Sequence, residues 1–108
     1  RLRKNKQYQY VYHRGRSCAC REIVLLYARS SKLQVGFSVS RKIGNSVTRN
    51  RVKRRMREAV TPLIPEIRGN VNVIFIARSA IVEAPFAEIR AAMRALLSRA
   101  DLLRGNEP

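Results

Sequence analysis

The sequence predicts an α+β sandwich, a single small domain with one sheet, in the order helix, three strands, helix, strand, helix. The first observation is length, because 108 residues provide one modest hydrophobic core. The second is composition, since 45% hydrophobic residues favour a folded chain over a disordered basic tail. The third is periodicity, because segments of helical and of strand period follow one another along the chain. We therefore expect one domain over residues 1–108, with 105–108 as a frayed tail.

The first predicted helix covers residues 5–13 and ends at Gly15. Tyr8, Val11 and Tyr12 stand at i, i+3 and i+4, so they share one face of this helix, whereas Tyr10 points elsewhere. Two interpretations of the shared face stay open. It either packs on the sheet as ordinary core or offers aromatic rings on which nucleic-acid bases stack.

Three strands are predicted next. Residues 17–21 and 23–27 have strand character, and the nearly continuous apolar run of the second predicts burial on both faces. Apolar and small polar residues alternate over 33–40, which predicts a third strand with one face in the core. Its other face is either solvated or leaves room for a ligand backbone close to the sheet.

The most unusual stretch is 41–57, RKIGNSVTRNRVKRRMR, which contains eight Lys or Arg and no acid. Gly44-Asn45-Ser46 supplies a turn and an N-cap for a basic helix that ends near Thr61-Pro62. One arc of about 140° on that helix carries five polar residues: Arg49, Asn50, Lys53, Arg54 and Arg57. An adjoining arc carries apolar ones: Val52, Met56, Ala59, Val60 and Leu63. Because like charges four residues apart destabilise a helix, a polyanion is the expected partner.

A last strand is predicted over 71–78, after a turn at Gly69-Asn70. An amphipathic helix starts at Pro85 and is expected to close at Gly105. We interpret the arginines of this helix as its solvated side and not as a second binding site.

Charge and residue types favour binding over catalysis. The formal charge of +16 favours nucleic acid or an anionic surface as partner, and no apolar run approaches the ~20 residues of a membrane span. His13 is the only histidine, and the acids lack the spacing of paired carboxylates or metal ligands. Cys18 and Cys20 are poorly placed to bond each other, so a reduced cytosolic protein is expected. No secretory signal is evident, and the start at Arg1 indicates a trimmed sequence.

A family resemblance is carried by Lys42-Ile43-Gly44-Asn45 and then 49–57, which fills every position of R-N-x-(aliphatic)-K-R-x-x-R. The pattern resembles the signature of the bacterial ribonuclease P protein subunit, and the likeness extends over nearly the whole chain. It implies a mixed sheet with a left-handed strand–helix–strand crossover, against the general right-handed rule. It also implies a monomeric, cytoplasmic protein in a 1:1 complex with a catalytic RNA. That RNA and its magnesium ions would remove the 5′ leader of precursor tRNA.

By the same resemblance, a set of residues is expected to bind RNA, with the tyrosines on the leader and the basic residues divided between the catalytic RNA and the leader: Tyr8, Tyr12, Lys42, Arg49, Asn50, Arg51, Lys53, Arg54 and Arg57. Asn50 is also a candidate oxygen ligand for a magnesium ion shared with RNA, or else an amide that hydrogen-bonds RNA or backbone. The family's further groove aromatic aligns with Leu26, and Tyr27 is one residue off and so expected on the opposite face. The alternatives are a ribosome-type structural RNA binder or a DNA-binding module.

Overall fold

A computed structural model, which describes residues 5–104, contains three helices and four strands in the predicted order. The helices are α1 (Asn5–Arg14), α2 (Ser46–Val60) and α3 (Phe86–Arg99). The strands are β1 (Arg16–Ala19), β2 (Ile23–Arg29), β3 (Gln34–Ser38) and β4 (Val71–Ala77). Short 3-10 turns cover Arg41–Ile43, Thr61–Glu66 and Ser79–Glu83. The predicted α+β class is confirmed.

The strands form one mixed sheet in the order β1-β2-β4-β3. β2 pairs antiparallel with β1 and β4, and β3 pairs parallel with β4, with Phe37 opposite Phe75. β3 is therefore an edge strand, and α2 is the crossover that returns the chain to β4. The left hand of that crossover stays a prediction.

The main hydrophobic core lies on the sheet face covered by α2 and α3. Leu25, Val73 and Phe75 of the sheet are completely buried there, together with Met56 of α2 and Met93 of α3. Strand alternation explains the choice of residues, since every second side chain of β2 and β4 points to this face. Most of the apolar area of the domain is removed from water at this one layer.

The opposite face of the sheet is covered by α1 over β2 and β4. Val11 of α1 packs with Ala28 and Ile74 in a small second cluster, and Leu26 lies against it. Tyr27, by contrast, packs against the main core, so the one-residue offset between Leu26 and Tyr27 puts them on opposite faces as predicted. α1 is thus held by far fewer buried residues than α2 and α3.

The predicted closure of the last helix at Gly105 is wrong. α3 ends at Arg99, because Asp101 adopts φ 58° in the left-handed region. The Leu102 N–H then donates to the Leu97 carbonyl at 2.9 Å and the Asp101 N–H to Ser98 at 3.0 Å, the Schellman pattern with aspartate where glycine is usual. Gly105 and the predicted frayed tail lie outside the described residues.

Candidate nucleic-acid interface

α2 is fixed in orientation by its cap and by its buried side. The Asn45 side-chain Oδ1 accepts a hydrogen bond from the Thr48 N–H at 2.9 Å, which confirms the predicted N-cap. The buried residues of α2 are those predicted from the helical wheel: Val52, Met56, Ala59 and Val60. Because these residues face α3 and the sheet, the basic residues on the adjoining arc must face outward.

The outward arc of α2, which we call the positive row, consists of Arg49, Asn50, Lys53, Arg54 and Arg57. Arg54, Arg57 and Asn50 are exposed, and Arg49 and Lys53 are half-buried. The Arg49 Nε donates to the Gly44 carbonyl at 3.2 Å, so this side chain also fixes the turn before the helix. Within residues 5–104, the other four side chains have no hydrogen-bond or ion-pair partner in the protein. The same is true of the exposed Lys42 and Arg51.

Several arginines elsewhere in the described chain, those of α3 among them, are engaged by the protein itself. Arg55, which stands at an unspecified position of the basic motif, donates to the Ala84 carbonyl at 2.8 Å. Arg94 makes a bidentate ion pair with Glu66 at 3.0 and 3.2 Å. Arg90 lies over the Phe86 ring, 5.6 Å from its centroid. The motif helix α2 therefore carries unpartnered positive charge, whereas α3 offers little of it.

Arg57, the last residue of the positive row, lies beside the outer edge of β3. Arg57 lines a shallow groove together with Leu33, Val35 and Phe37, whose side chains are on the main-core face of β3. No described strand pairs with that edge of β3. This end of the row therefore lies at the open edge of the sheet, where a bound polymer has room to continue past the edge.

The two predicted aromatic residues lie on the other face of the sheet. Tyr12 is 45% exposed, and Tyr8 is half-buried against the small cluster beneath α1. Neither ring lies deep in the core, so an aromatic surface is available on α1. The small or polar residues of β3 lie on the same face, but Gly36 is buried and only Gln34 and Ser38 are partly exposed.

The structure does not bring the tyrosines and the positive row together on one face. α1 packs on β2 and β4 from one side, and α2 packs on β3 from the other. The edge strand β3 separates the two surfaces. An RNA segment that contacts both would have to pass over this edge.

The sequence did not predict that Gly15 helps to position the candidate site. A Cβ atom at this position would lie 2.4 Å from the Val11 carbonyl oxygen and 2.7 Å from that of Tyr27. Only glycine permits the end of α1 to approach β2 this closely, and this approach sets where the tyrosines stand. The signal available in the sequence was a glycine directly after a helix, which indicates an end and not a contact.

The described residues offer little for a protein-borne metal. Among residues 5–104 no three His, Cys, Asp or Glu side chains are grouped as metal ligands. Asn50 is exposed with a free amide oxygen, a hard ligand that suits magnesium, but RNA phosphates or waters would have to supply the other ligands. Cys18 is half-buried, and burial raises the pKa of its thiol, while the nearby Arg99 opposes that rise. No helix within this part of the chain is long and apolar enough to cross a bilayer.

Comparison with known proteins gives one consistent result. The family model described as Ribonuclease P matches residues 1–101. A ribonuclease P protein component of Thermoanaerobacter sp. strain X514 is 39% identical, over 99% of this chain and 94% of that protein. One from Symbiobacterium thermophilum is 42% identical, over 96% and 93%. The RNase P protein structure of Staphylococcus aureus superposes with a TM-score of 0.86 at 30% identity, covering 94% of this chain and 95% of that one.

Proposed function

The chain belongs to the ribonuclease P protein family, and from this premise we propose which RNA segments it binds and with which residues. As a ribonuclease P protein component it takes part in tRNA 5′ processing. In our proposal it binds the catalytic RNA and the single-stranded 5′ leader of precursor tRNA, and so assists endonucleolytic removal of the leader. It acts by binding, and the RNA breaks the bond.

The observation that carries this proposal is the unpartnered charge of the positive row. A lysine or arginine without a protein partner is free to neutralise a phosphate, and the release of condensed counterions then drives binding. Lys53, Arg54 and Arg57 meet this condition among the described residues, with Arg51 and Lys42 beside them. Such contacts fix position and affinity without reading sequence, which suits a protein that must accept many tRNA precursors.

The aromatic surface on α1 supplies selectivity for unpaired RNA. Bases in a duplex are stacked on one another, whereas a leader can place a base on the exposed Tyr12 ring and, with small rearrangement, on Tyr8. Ser38, half-buried next to this surface, lets a sugar–phosphate chain approach the end of β3. The separation of the two surfaces by β3 favours two RNA segments, with the leader near α1 and the catalytic RNA mainly on α2.

Magnesium ions held by the RNA would activate the attacking water and stabilise the leaving oxygen. Asn50 is the side chain of this chain that would face such an ion through its amide oxygen. Its neighbours in the positive row would hold the adjacent phosphates in place. The protein's part is then to bring the leader and the catalytic RNA into a fixed relation, which lowers the entropic cost of reaching the reactive geometry.

Reconstitution tests this function. The protein is added to a bacterial ribonuclease P RNA at low magnesium, and cleavage of a leader-bearing precursor tRNA is followed. We expect strong stimulation of cleavage at the mature 5′ end, and no cleavage when the RNA is omitted. Ribosomal RNA and duplex DNA serve as competitors. Effective competition by ribosomal RNA together with no stimulation would replace this function with structural binding of ribosomal RNA.

A further inference from the structure

A second basic and aromatic surface lies at the far end of the sheet, outside the motif. It is a cavity of about 900 Å³ with Tyr10, Arg14, Arg16, Tyr27, Arg29 and Arg68 in its wall, and we call it the Tyr10 pocket. Its volume lies within the range of about 300–1,000 Å³ found for ligand sites. The wall is built from the ends of four elements. Arg14 ends α1, Arg16 starts β1, Arg29 ends β2, and Val71 starts β4.

The charge of the Tyr10 pocket is only partly compensated by the protein. Asp101 is the one acid in its wall, and it pairs with Arg68 at 3.3 Å. Arg14, Arg16 and Arg29 are exposed and, within residues 5–104, have no ion-pair or hydrogen-bond partner. Three guanidinium groups therefore converge on one concave surface. Arginines of α3 differ, since Arg94 and Arg90 each have a protein contact.

Aromatic rings accompany this charge. Tyr10 is 49% exposed, although a ring of this size gains by burial, and Tyr27 contributes a half-buried ring. Positive charge beside an exposed aromatic ring is the combination that binds unpaired nucleotides, because the ring stacks on a base while the arginines hold phosphates. Duplex RNA presents no free base face to such a ring.

The Tyr10 pocket is separate from the surface assigned to the leader. Tyr10 and Tyr12 are two residues apart in α1, so their side chains point about 200° apart around the helix axis. At Gly15 the end of α1 lies directly against the Tyr27 backbone of β2. A leader lying along Tyr8 and Tyr12 would not reach this pocket, so its occupant comes from another RNA segment.

We propose that the Tyr10 pocket binds an unpaired segment of the ribonuclease P RNA itself. Arg14, Arg16 and Arg29 hold its phosphates, and Tyr10 stacks on one of its bases. This assignment rests on the proposed function, since it takes the ribonuclease P RNA as the partner. It adds a contact on the α1 side of the domain to those made by the positive row.

The test uses the full chain and ribonuclease P RNA without tRNA, and measures affinity against salt concentration. In the double variant Arg16→Ala/Arg29→Ala, the slope of log K against log[salt] should fall by about 1.4–1.8, twice the ~0.7–0.9 expected for one lost phosphate contact. The matched control Arg90→Ala/Arg94→Ala removes the same charge from α3 and should keep the slope. Arg16→Lys/Arg29→Lys should restore it. Tyr10→Ala should weaken binding about 5-fold or more without changing the slope.

Two further arms identify the source of the RNA. In the Arg16→Ala/Arg29→Ala variant, the affinities of the assembled complex for mature tRNA and for leader-bearing tRNA should fall by the same factor. Both fall equally because the contact is with the ribonuclease P RNA. A loss confined to leader-bearing tRNA would show that the leader occupies the pocket and would overturn the assignment. Equal slopes for the variant and the α3 control, with both proteins melting like wild type, would also overturn it. If the wild-type protein itself shows no preference for ribonuclease P RNA, the proposed function fails first, and this outcome is distinct from the others.

Discussion

Replacement of Gly15 by alanine should release α1 from the sheet while leaving the main core intact. The added methyl group would lie 2.4 and 2.7 Å from two backbone carbonyl oxygens, those of Val11 and Tyr27, so no side-chain rotation can relieve the clash. Overpacking of this kind costs about 1–3 kcal/mol. α1 is held by a small cluster around Val11, Ala28 and Ile74, so local detachment costs less than global unfolding.

Hydrogen exchange measures this effect directly. A loss of about 1–3 kcal/mol of docking free energy corresponds to exchange roughly 5- to 150-fold faster for the amides of α1. The amides of Val73 and Phe75, in the completely buried centre of β4, should keep their wild-type rates. Gly69→Ala is the matched control, because a Cβ at Gly69 meets no atom within 4 Å.

The same variant links the fold to function. Detachment of α1 moves Tyr8 and Tyr12 away from the sheet, so affinity for leader-bearing tRNA should fall in parallel with α1 protection. Exchange rates and melting temperature indistinguishable from those of Gly69→Ala would refute the claim that close backbone contact at Gly15 positions α1.

Three further predictions concern single side chains. Lys53→Ala should lower the salt slope of RNA binding by about 0.7–0.9, whereas Arg90→Ala should not, and an unchanged slope removes Lys53 from the contacts. Asn45→Ala should cost about 1 kcal/mol, or about 4–8 °C in Tm, through loss of the cap to the Thr48 N–H, and a melting temperature equal to wild type would contradict the cap. Because burial raises the pKa of the Cys18 thiol above its ordinary value, its alkylation in a Cys20→Ser variant should need higher pH than that of a free cysteine. The unfolded thiol loses its proton first, so stability should also fall as pH rises through the range in which a free thiol ionises, and an alkylation midpoint equal to or below that of a free cysteine would contradict the burial.

Most of the fold could be predicted from the periodicity of apolar residues along the sequence. The buried side of α2 could be predicted because Val52, Met56, Ala59 and Val60 recur at helical spacing, and Pro62 marks where the helix must stop. The end of α3 could not be predicted in the same way. Gly105 is the usual signal for a helix end, but tertiary contacts of Leu103 with Ile67 and the left-handed Asp101 stop the helix earlier.

The candidate site was predictable where its residues are neighbours in sequence. The positive row lies on one helix, so a single motif revealed it. The motif leaves the position of Arg55 unspecified, and the Arg55 side chain hydrogen-bonds within the protein. The Tyr10 pocket has no such signal, because Arg14, Arg16 and Arg29 come together only when β1 and β2 pair. The separation of the tyrosines from the row by β3 likewise depends on strand order, which no local pattern contains.

In the proposed function this protein selects unpaired leader RNA through the aromatic surface of α1. The most direct measurement is the affinity of the complex with ribonuclease P RNA for leader-bearing and for mature tRNA, in wild type and in Tyr12→Ala. Loss of one base stack, worth ~1–3 kcal/mol, should weaken binding of the precursor by roughly 5- to 150-fold and leave binding of mature tRNA unchanged. Equal losses for both tRNAs, or no loss for the precursor, would contradict the account.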